Sequence, residues 1–437
     1  MNNDITVGKQ DVSDLSVPSE MTRGFGARGW TIIVFQAIMF WLAAGAVTHG
    51  LNVMLPALSK TFNLDYNALL ALATPASWVS ILGAPFAAWL MEKKGAKFNI
   101  VFSLLACGLC FGLLGHWGTL TGFTILFSGV CLFGTAFAYI GGTALMASWF
   151  VRQNGMALGW CTLGQTFSSC LFVPALATSF AVFGVQYGFW GIAIPMFIMA
   201  VLVLLFVKNK PEDVGMAPDN MPLSSKLNTR IEVDEESSNI SMKTLLGMKD
   251  IWLMGVATGA IYIMLVGVVS QIVPRLMAMG YELQTAIFYM SASALFGIIG
   301  AYVWGKLNEK MGVKTALLIY TAWWMVSIVL NLYATNEYLL WASLFMIGVS
   351  LPGATNLSTA LVATKFPRKL YIRAIAIVHP IQSVIRCLAF SILAFGLAYL
   401  GGYPGAYSLL VGVGVITLIL LWLIDTTPVD EATLTKK

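Results

Sequence analysis

The chain of 437 residues is 58% hydrophobic and 10% charged, with a formal net charge of +5, where a soluble domain averages roughly 45–50% and 25%. Such a balance excludes a soluble globular protein and predicts an all-α, multi-pass protein of a cell membrane, inner or plasma, with the lipid bilayer as its main partner. The surplus of positive charge implies no nucleic acid, because the basic residues are spread along one membrane face.

Taken in order, residues 1–29 read as a polar cytoplasmic tail with Asp4, Asp11, Asp14 and Glu20, and hold no short apolar core of the kind a cleaved secretory signal needs. Apolar runs long enough to span a bilayer as helices then fall near 30–54, 68–91, 98–117, 121–149, 155–178 and 186–207. A second set falls near 251–273, 284–305, 314–334, 338–363, 374–400 and 405–424. The pattern predicts twelve transmembrane helices in two six-helix bundles, 30–207 and 250–424, joined by a polar, mobile linker at 208–249 and closed by a tail at 425–437. Of the 25 Lys and Arg, 22 fall on one side of this layout and only Lys60 and Arg275 on the other, with Arg386 in between. Because cytoplasmic loops collect Lys and Arg, both termini are expected inside. All six cysteines lie in apolar runs, so neither disulfides nor a metal site is expected, and nothing asks for a cofactor.

Several spans carry polar residues on one face. The first has Thr48, His49 and Asn52 ahead of Pro56, the fourth Thr135, Tyr139 and Thr143, and the fifth Thr162, Gln165, Thr166 and Ser169. In the second half stand Thr258 and Tyr262, Tyr289 and Ser293, and Asn356 and Thr359. Each could be interhelical glue, as Gly108 and Gly112 or Gly255 and Gly259 are at GxxxG spacing. Their joint placement near mid-span is what suggests a lined cavity.

The chain also repeats itself. Glu92, Lys93, Gly95 and Lys97 follow the second span, and Glu309, Lys310, Gly312 and Lys314 follow the eighth, 217 residues later. Gln165 and Gln382 have the same separation, and Phe150 and Arg152 are echoed by Phe366 and Arg368. Two parallel six-helix repeats with a site at midplane are the arrangement of one class of transporters. On these residues the chain resembles the major facilitator superfamily along nearly its whole length. Its two EKxGxK loops are similar to that family's GxxxDRxGRR loops, with Glu for Asp, Ala88 for the first Gly, and Ala96 and Val313 for a basic residue. The resemblance implies a gating role for these loops and for Arg152, with Glu92 docking beside Arg373 at the start of the eleventh helix and Glu309 near the start of the fifth. A carboxylate at a helix N-terminus is stabilised there. Ser148 to Gly159 is similar to the connection found in the oxalate/formate antiporter and monocarboxylate transporter branches, whereas the GPxxGG signature of proton-driven drug antiporters is missing.

The eleventh span holds Arg386 near its centre, with Ser383, Gln382 and His379 on the same helical stripe. A guanidinium at mid-bilayer costs about 2.5–3.5 kcal/mol on insertion scales, and none of the 20 acidic residues lies in the central part of a helix to offset it. A structural arginine held by carbonyls of neighbouring helices is one reading. The other is a cation for an anionic substrate, bound with Gln382, His379, His49, Asn52, Tyr139, Gln165, Tyr262, Tyr289 and Asn356. The resembled oxalate/formate carriers use a second basic residue on the eighth helix, and its absence here turns the expectation from a dianion to a monocarboxylate. The expected function is secondary active transport of a small organic anion by alternating access, in a monomer, with protons or a counter-anion as coupling partner. Carriage of another anionic or neutral metabolite, or a non-transporting sensor on the same fold, is the alternative. No nucleophile–base pair points to an enzyme.

Overall fold

The computed structural model describes residues 24–150, 153–222, 242–366 and 368–429; Arg152 lies outside them. Ten stretches are long and apolar enough to cross a membrane. One of these, Tyr66–Leu113, is broken at Gly95 and serves as two helices, and Trp190–Phe206 is a shorter apolar helix. The described residues thus form twelve helical rods, whose backbone groups bond within each rod, as lipid demands.

α1 comprises Gly26–Ala44, a π-helical stretch Gly45–His49 and Leu51–Phe62. α2 begins at Tyr66–Trp78, tightens to a 3-10 turn at Val79–Leu82 and continues into Gly83–Leu113, of which the part after Gly95 is α3. α4 comprises Leu120–Gly134, a π-helical stretch Thr135–Gly142 and Thr143–Trp149; α5 comprises Asn154–Phe167, a third π-helical stretch Ser168–Phe172 and Val173–Gly188; α6 is Trp190–Phe206. In the second half α7 is Lys249–Val269 with Ile272–Ala278, α8 is Leu283–Leu295 with Gly297–Met311, and α9 is Val313–Leu332. α10 is Glu337–Ser350 with Gly353–Lys365, α11 is Arg368–Tyr399 and α12 is Tyr403–Leu423.

The repeated glycine of the two loops has a backbone reason. Gly95 has φ 83° and ψ 165°, and Gly312 has φ 79° and ψ 157°, a region essentially closed to residues with a Cβ. The last lysine of each loop has a reason too. Lys97 Nζ donates to Leu204 O at 2.7 Å, and Lys314 Nζ donates to Trp422 O and Ile424 O at 2.8 and 2.7 Å. Each therefore caps the C-terminal end of the last helix in its own bundle, where free carbonyls favour a cation.

Close helix approach follows the small residues. A Cβ on Gly255 or Gly259 would meet Ile381 or Ile385 of α11 at 2.7 and 2.6 Å, and one on Gly108 or Gly112 would meet Phe197 or Trp190 of α6 at 2.7 and 2.6 Å. The six cysteines are all free. The front of the linker differs from the expected mobile chain. Pro211–Val214 forms a 3-10 turn, and Met216–Ala217 and Met221–Pro222 (β1 and β2) pair antiparallel through a turn at Asp219 and Asn220. This hairpin lies against the first bundle: Gln153 N donates to Asp219 Oδ1 at 3.1 Å, and Asn220 Nδ2 donates to Gly24 O at 3.2 Å. Polar bonds to the first bundle, rather than hydrophobic length, seat a segment whose composition alone reads as loose.

Candidate functional site

Arg386 of α11 is partly exposed yet deep in the protein, and its charge is felt by Tyr139 of α4, Tyr262 of α7, Cys131 of α4 and its neighbour Cys387. One tyrosine from each bundle thus lies within the range of the Arg386 charge. Among the described residues no carboxylate pairs with it; the ion pairs seen are both made by Lys365. Tyr262 Oη lies 2.9 Å from Thr355 Oγ1, which fixes the ring from α10. Tyr139 packs on Phe40 with ring centroids 5.3 Å apart. His379, two turns before Arg386, keeps an exposed side chain and lies within reach of its charge. The structure therefore brings Arg386, His379, Tyr139 and Tyr262 together.

Other candidates stand elsewhere. Gln382 is buried and Gln165 half-buried, and the two do not bond to one another. Asn356 is exposed on α10. His49 is buried with Nδ1 2.6 Å from Ser169 Oγ, a bond that ties the π-helical stretch of α1 to that of α5. Tyr289 is not part of the central group: its hydroxyl donates to Glu337 Oε1 at 2.8 Å and its ring packs against Tyr281 and Trp341, in the C-terminal bundle at the ends of α7 and α10. Asn52 is fully buried and engaged on both sides of its amide. Its Nδ2 donates to Val269 O at 2.6 Å and to His49 O at 2.9 Å, and its Oδ1 accepts from Val273 N at 3.0 Å. Val269 and Val273 flank the break in α7, so Asn52 fills the gap that the break leaves in the backbone ladder. This side chain has no free group for a substrate and instead joins the two bundles.

Every hydrogen bond between the bundles among the described residues lies on that side or near mid-span. Tyr66 Oη donates to Gln271 Oε1 at 2.8 Å, which also accepts from Tyr403 Oη at 3.0 Å. Thr74 Oγ1 lies 3.0 Å from Cys387 O and 2.8 Å from Ser391 Oγ, and Trp78 Nε1 donates to Val384 O at 3.0 Å. Among the hydrogen bonds seen between described residues, none joins the bundles at the opposite end, where the two EKxGxK loops stand. There the expected docking does not occur: Glu92 and Glu309 are exposed, and no ion pair joins Glu92 to Arg373 or Glu309 to α5. Lys93 lies over the Trp89 ring at 4.5 Å, and Lys310 is exposed. The bonds between the bundles are thus confined, among the described residues, to the other end and mid-span. The molecule is closed at one end and open at the other.

A model of the Major Facilitator Superfamily matches residues 29–312 and 288–437. The chain belongs to this superfamily. As a Major Facilitator Superfamily member it is a multi-pass membrane transporter and not an enzyme. The hexose-6-phosphate:phosphate antiporter of Salmonella typhimurium is 21% identical over 356 residues, with 76% of this chain and 75% of that protein covered. The protein of the same name from Escherichia coli K12 is 22% identical over 359 residues with the same coverage. Among solved structures, a D-xylose-proton symporter superposes with a TM-score of 0.68 at 14% identity, covering 91% of this chain and 97% of that one. An inward-facing bacterial homologue of the human lysosomal transporter Spinster gives 0.65 at 14% identity, over 92% and 96%. The solved structures share the fold of this chain.

Some of the site was out of reach of sequence reading. Thr355, Gln36 and Asn99 make side-chain contacts that no motif marks. Their signal was only that each is a polar residue inside an apolar run, a property many structural residues share.

Proposed function

We propose that this transporter carries a small organic anion, a monocarboxylate in the first instance, with Arg386 as the binding cation. The observation that carries this is a deep guanidinium with no carboxylate partner among the described residues, within whose charge range lie Tyr139 from one bundle and Tyr262 from the other. A charge-assisted bond to a substrate carboxylate supplies the missing partner, and a ligand touching both bundles has the leverage on their relative position that alternating access requires. Counting by lysine distribution, the open end carrying Glu92 and Glu309 is cytoplasmic, so the described state faces inward. His379 beside Arg386 is a candidate for proton coupling, with exchange against a second anion as the other mode.

A phosphate ester is the second reading, favoured by the likeness to the hexose-6-phosphate:phosphate antiporters. It asks more of the site, since a dianion would rest on the single charge of Arg386. Counterflow in proteoliposomes separates the readings, with a panel of monocarboxylates, dicarboxylates, hexose 6-phosphate and inorganic phosphate run on wild type and Arg386→Ala. Exchange of a monocarboxylate that vanishes in the variant supports the proposal. Exchange confined to hexose 6-phosphate and phosphate replaces it with the second reading. Kinetics unchanged in Arg386→Ala would return that arginine to a structural role.

A further inference from the structure

The π-helical stretch Thr135–Gly142 of α4 carries Tyr139, and its geometry is held from outside the helix. In a π-helix each N–H bonds five residues back instead of four, which shifts the hydrogen-bond register and leaves carbonyls open to other donors. Two of them are taken by side-chain amides from other helices. Asn99 Nδ2 of α3 donates to Ala136 O at 2.8 Å, and Gln36 Nε2 of α1 donates to Ala138 O at 2.9 Å. Both amide residues are fully buried. The approach depends on the last two residues of the stretch being glycine: a Cβ on Gly141 would stand 2.5 Å from Asn99 Nδ2, and a Cβ on Gly142 would overlap Gln36 Oε1. Gln36 Oε1 has no hydrogen-bond partner among the described residues. A buried amide with half its capacity unused is a poor choice for packing alone, where an apolar side chain of the same size leaves nothing unsatisfied. One turn further along α1, Phe40 packs on the Tyr139 ring.

An extra residue per turn rotates everything beyond it by about 100° relative to an uninterrupted α-helix. Whether Tyr139 points into the space beside Arg386 therefore depends on the π form being kept. We propose that Gln36 and Asn99 are positioning residues, which hold α4 in its π form and so aim Tyr139 at the anion-binding space. The aim of Tyr139 is independent of what is transported, although its use for an anion rests on the function proposed above.

The test needs no identified substrate. In a background with the native cysteines replaced, Tyr139→Cys is labelled in the purified transporter with the anionic reagent sulfonatoethyl methanethiosulfonate and its cationic trimethylammonium counterpart, and Asn356→Cys on α10 serves as the exposed control. Adding Gln36→Leu or Asn99→Leu is expected to slow labelling at position 139 by about tenfold, the loss of one buried hydrogen bond, with the rate at position 356 unchanged and the protein still folded. Unchanged labelling at position 139 in these variants overturns the proposal. So does loss of folding in all of them, which would assign the amides to stability. The anion-to-cation rate ratio at position 139 reports separately on Arg386: a ratio near one, unaltered by Arg386→Gln, counts against the anion site while leaving the positioning result intact.

Discussion

The two six-helix bundles share a frame and differ at its centre. Both turn on a positive-φ glycine, Gly95 and Gly312, and both use a lysine, Lys97 and Lys314, to cap their last helix. Both also interrupt the same rods. α2 tightens at Val79–Leu82 where α8 breaks at Phe296, and α4 widens at Thr135–Gly142 where α10 breaks at Leu351 and Pro352. The means differ, however: the described residues of the first bundle contain three π-helical stretches and those of the second contain none. At the open end the first bundle ties α4 to the residues after α6 by neutral bonds, Ser148 Oγ to Asn209 O at 3.0 Å and Trp149 Nε1 to Lys208 O at 3.2 Å. The second ties α10 by charge, with Lys365 Nζ 2.9 Å from Asp250 and 3.1 Å from Asp425. Features that set the length and ends of the rods are duplicated. Those that face the centre have diverged, one bundle supplying re-aimed polar side chains and the other the cation.

Exchanging residues between the bundles tests that division. Ser169 stands 217 residues before Arg386, so Arg386→Ser gives the second bundle the residue of the first. Anion counterflow should fall below detection, while Arg386→Lys keeps roughly a tenth, because a point charge survives without the bidentate fork. Ser169→Ala should cost no more than about threefold, the worth of one neutral hydrogen bond. Equal losses in Arg386→Ser and Ser169→Ala would erase the asymmetry.

The ionic clasp comes next in size. Lys365→Ser leaves Asp250 and Asp425 without their shared cation, and the melting midpoint of the purified protein should drop by about 2–8 °C. Ser148→Ala, the neutral counterpart, should move it less. An equal or larger drop for Ser148→Ala would show that charge adds nothing at this end.

The same clasp makes a pH prediction. Asp425, beyond the end of α12, has its carboxyl held well below the usual carboxylate range by hydrogen bonds from the Thr427 side chain and backbone and by Lys365. A carboxyl lowered in the folded state contributes stability above its unfolded value near 4, and that contribution is lost as pH falls towards the folded value. The gap in melting midpoint between wild type and Asp425→Asn should therefore be constant from pH 7 to about 5 and shrink below about 4. A gap that instead grows on acidification contradicts the assignment.

Smallest is the effect expected at the loops. Glu92 is exposed in this state, so Glu92→Gln should leave the open form intact and withdraw only a contact of the closed one, raising cytoplasmic cysteine accessibility about twofold. Accessibility equal to wild type would make the loop a topological signal alone.

The frame was legible in the sequence because lipid imposes it: span length, the lysine bias and the repeated Glu-Lys-x-Gly-x-Lys are local properties of the chain. Arg386 was legible for the same reason, as a cation where apolar residues belong. Asn52 and Tyr289 were not, since one polar residue in an apolar run looks the same whether it meets a ligand, a broken helix or a carboxylate 48 residues away. The π-helical stretches were hidden because Gly141 and Gly142 read equally as packing, and their reason lies in amides 37 and 102 positions distant from the carbonyls they bond.

Asn52 also bears on how such a molecule can be symmetric at all. The residue 217 or 218 positions after it is Val269 or Ser270, and its amide bonds the carbonyl of the first of these. Asn52 therefore touches its own counterpart, which places the contact on the pseudo-twofold axis. Two copies of one side chain cannot fill a single place on an axis: if one bundle inserts an amide, the other must offer bare backbone. The seam between the bundles is thus obliged to be unequal at its centre, however alike the bundles are elsewhere, and an exact tandem copy of the first bundle would bring two asparagines into collision where this chain has a lock and a keyhole.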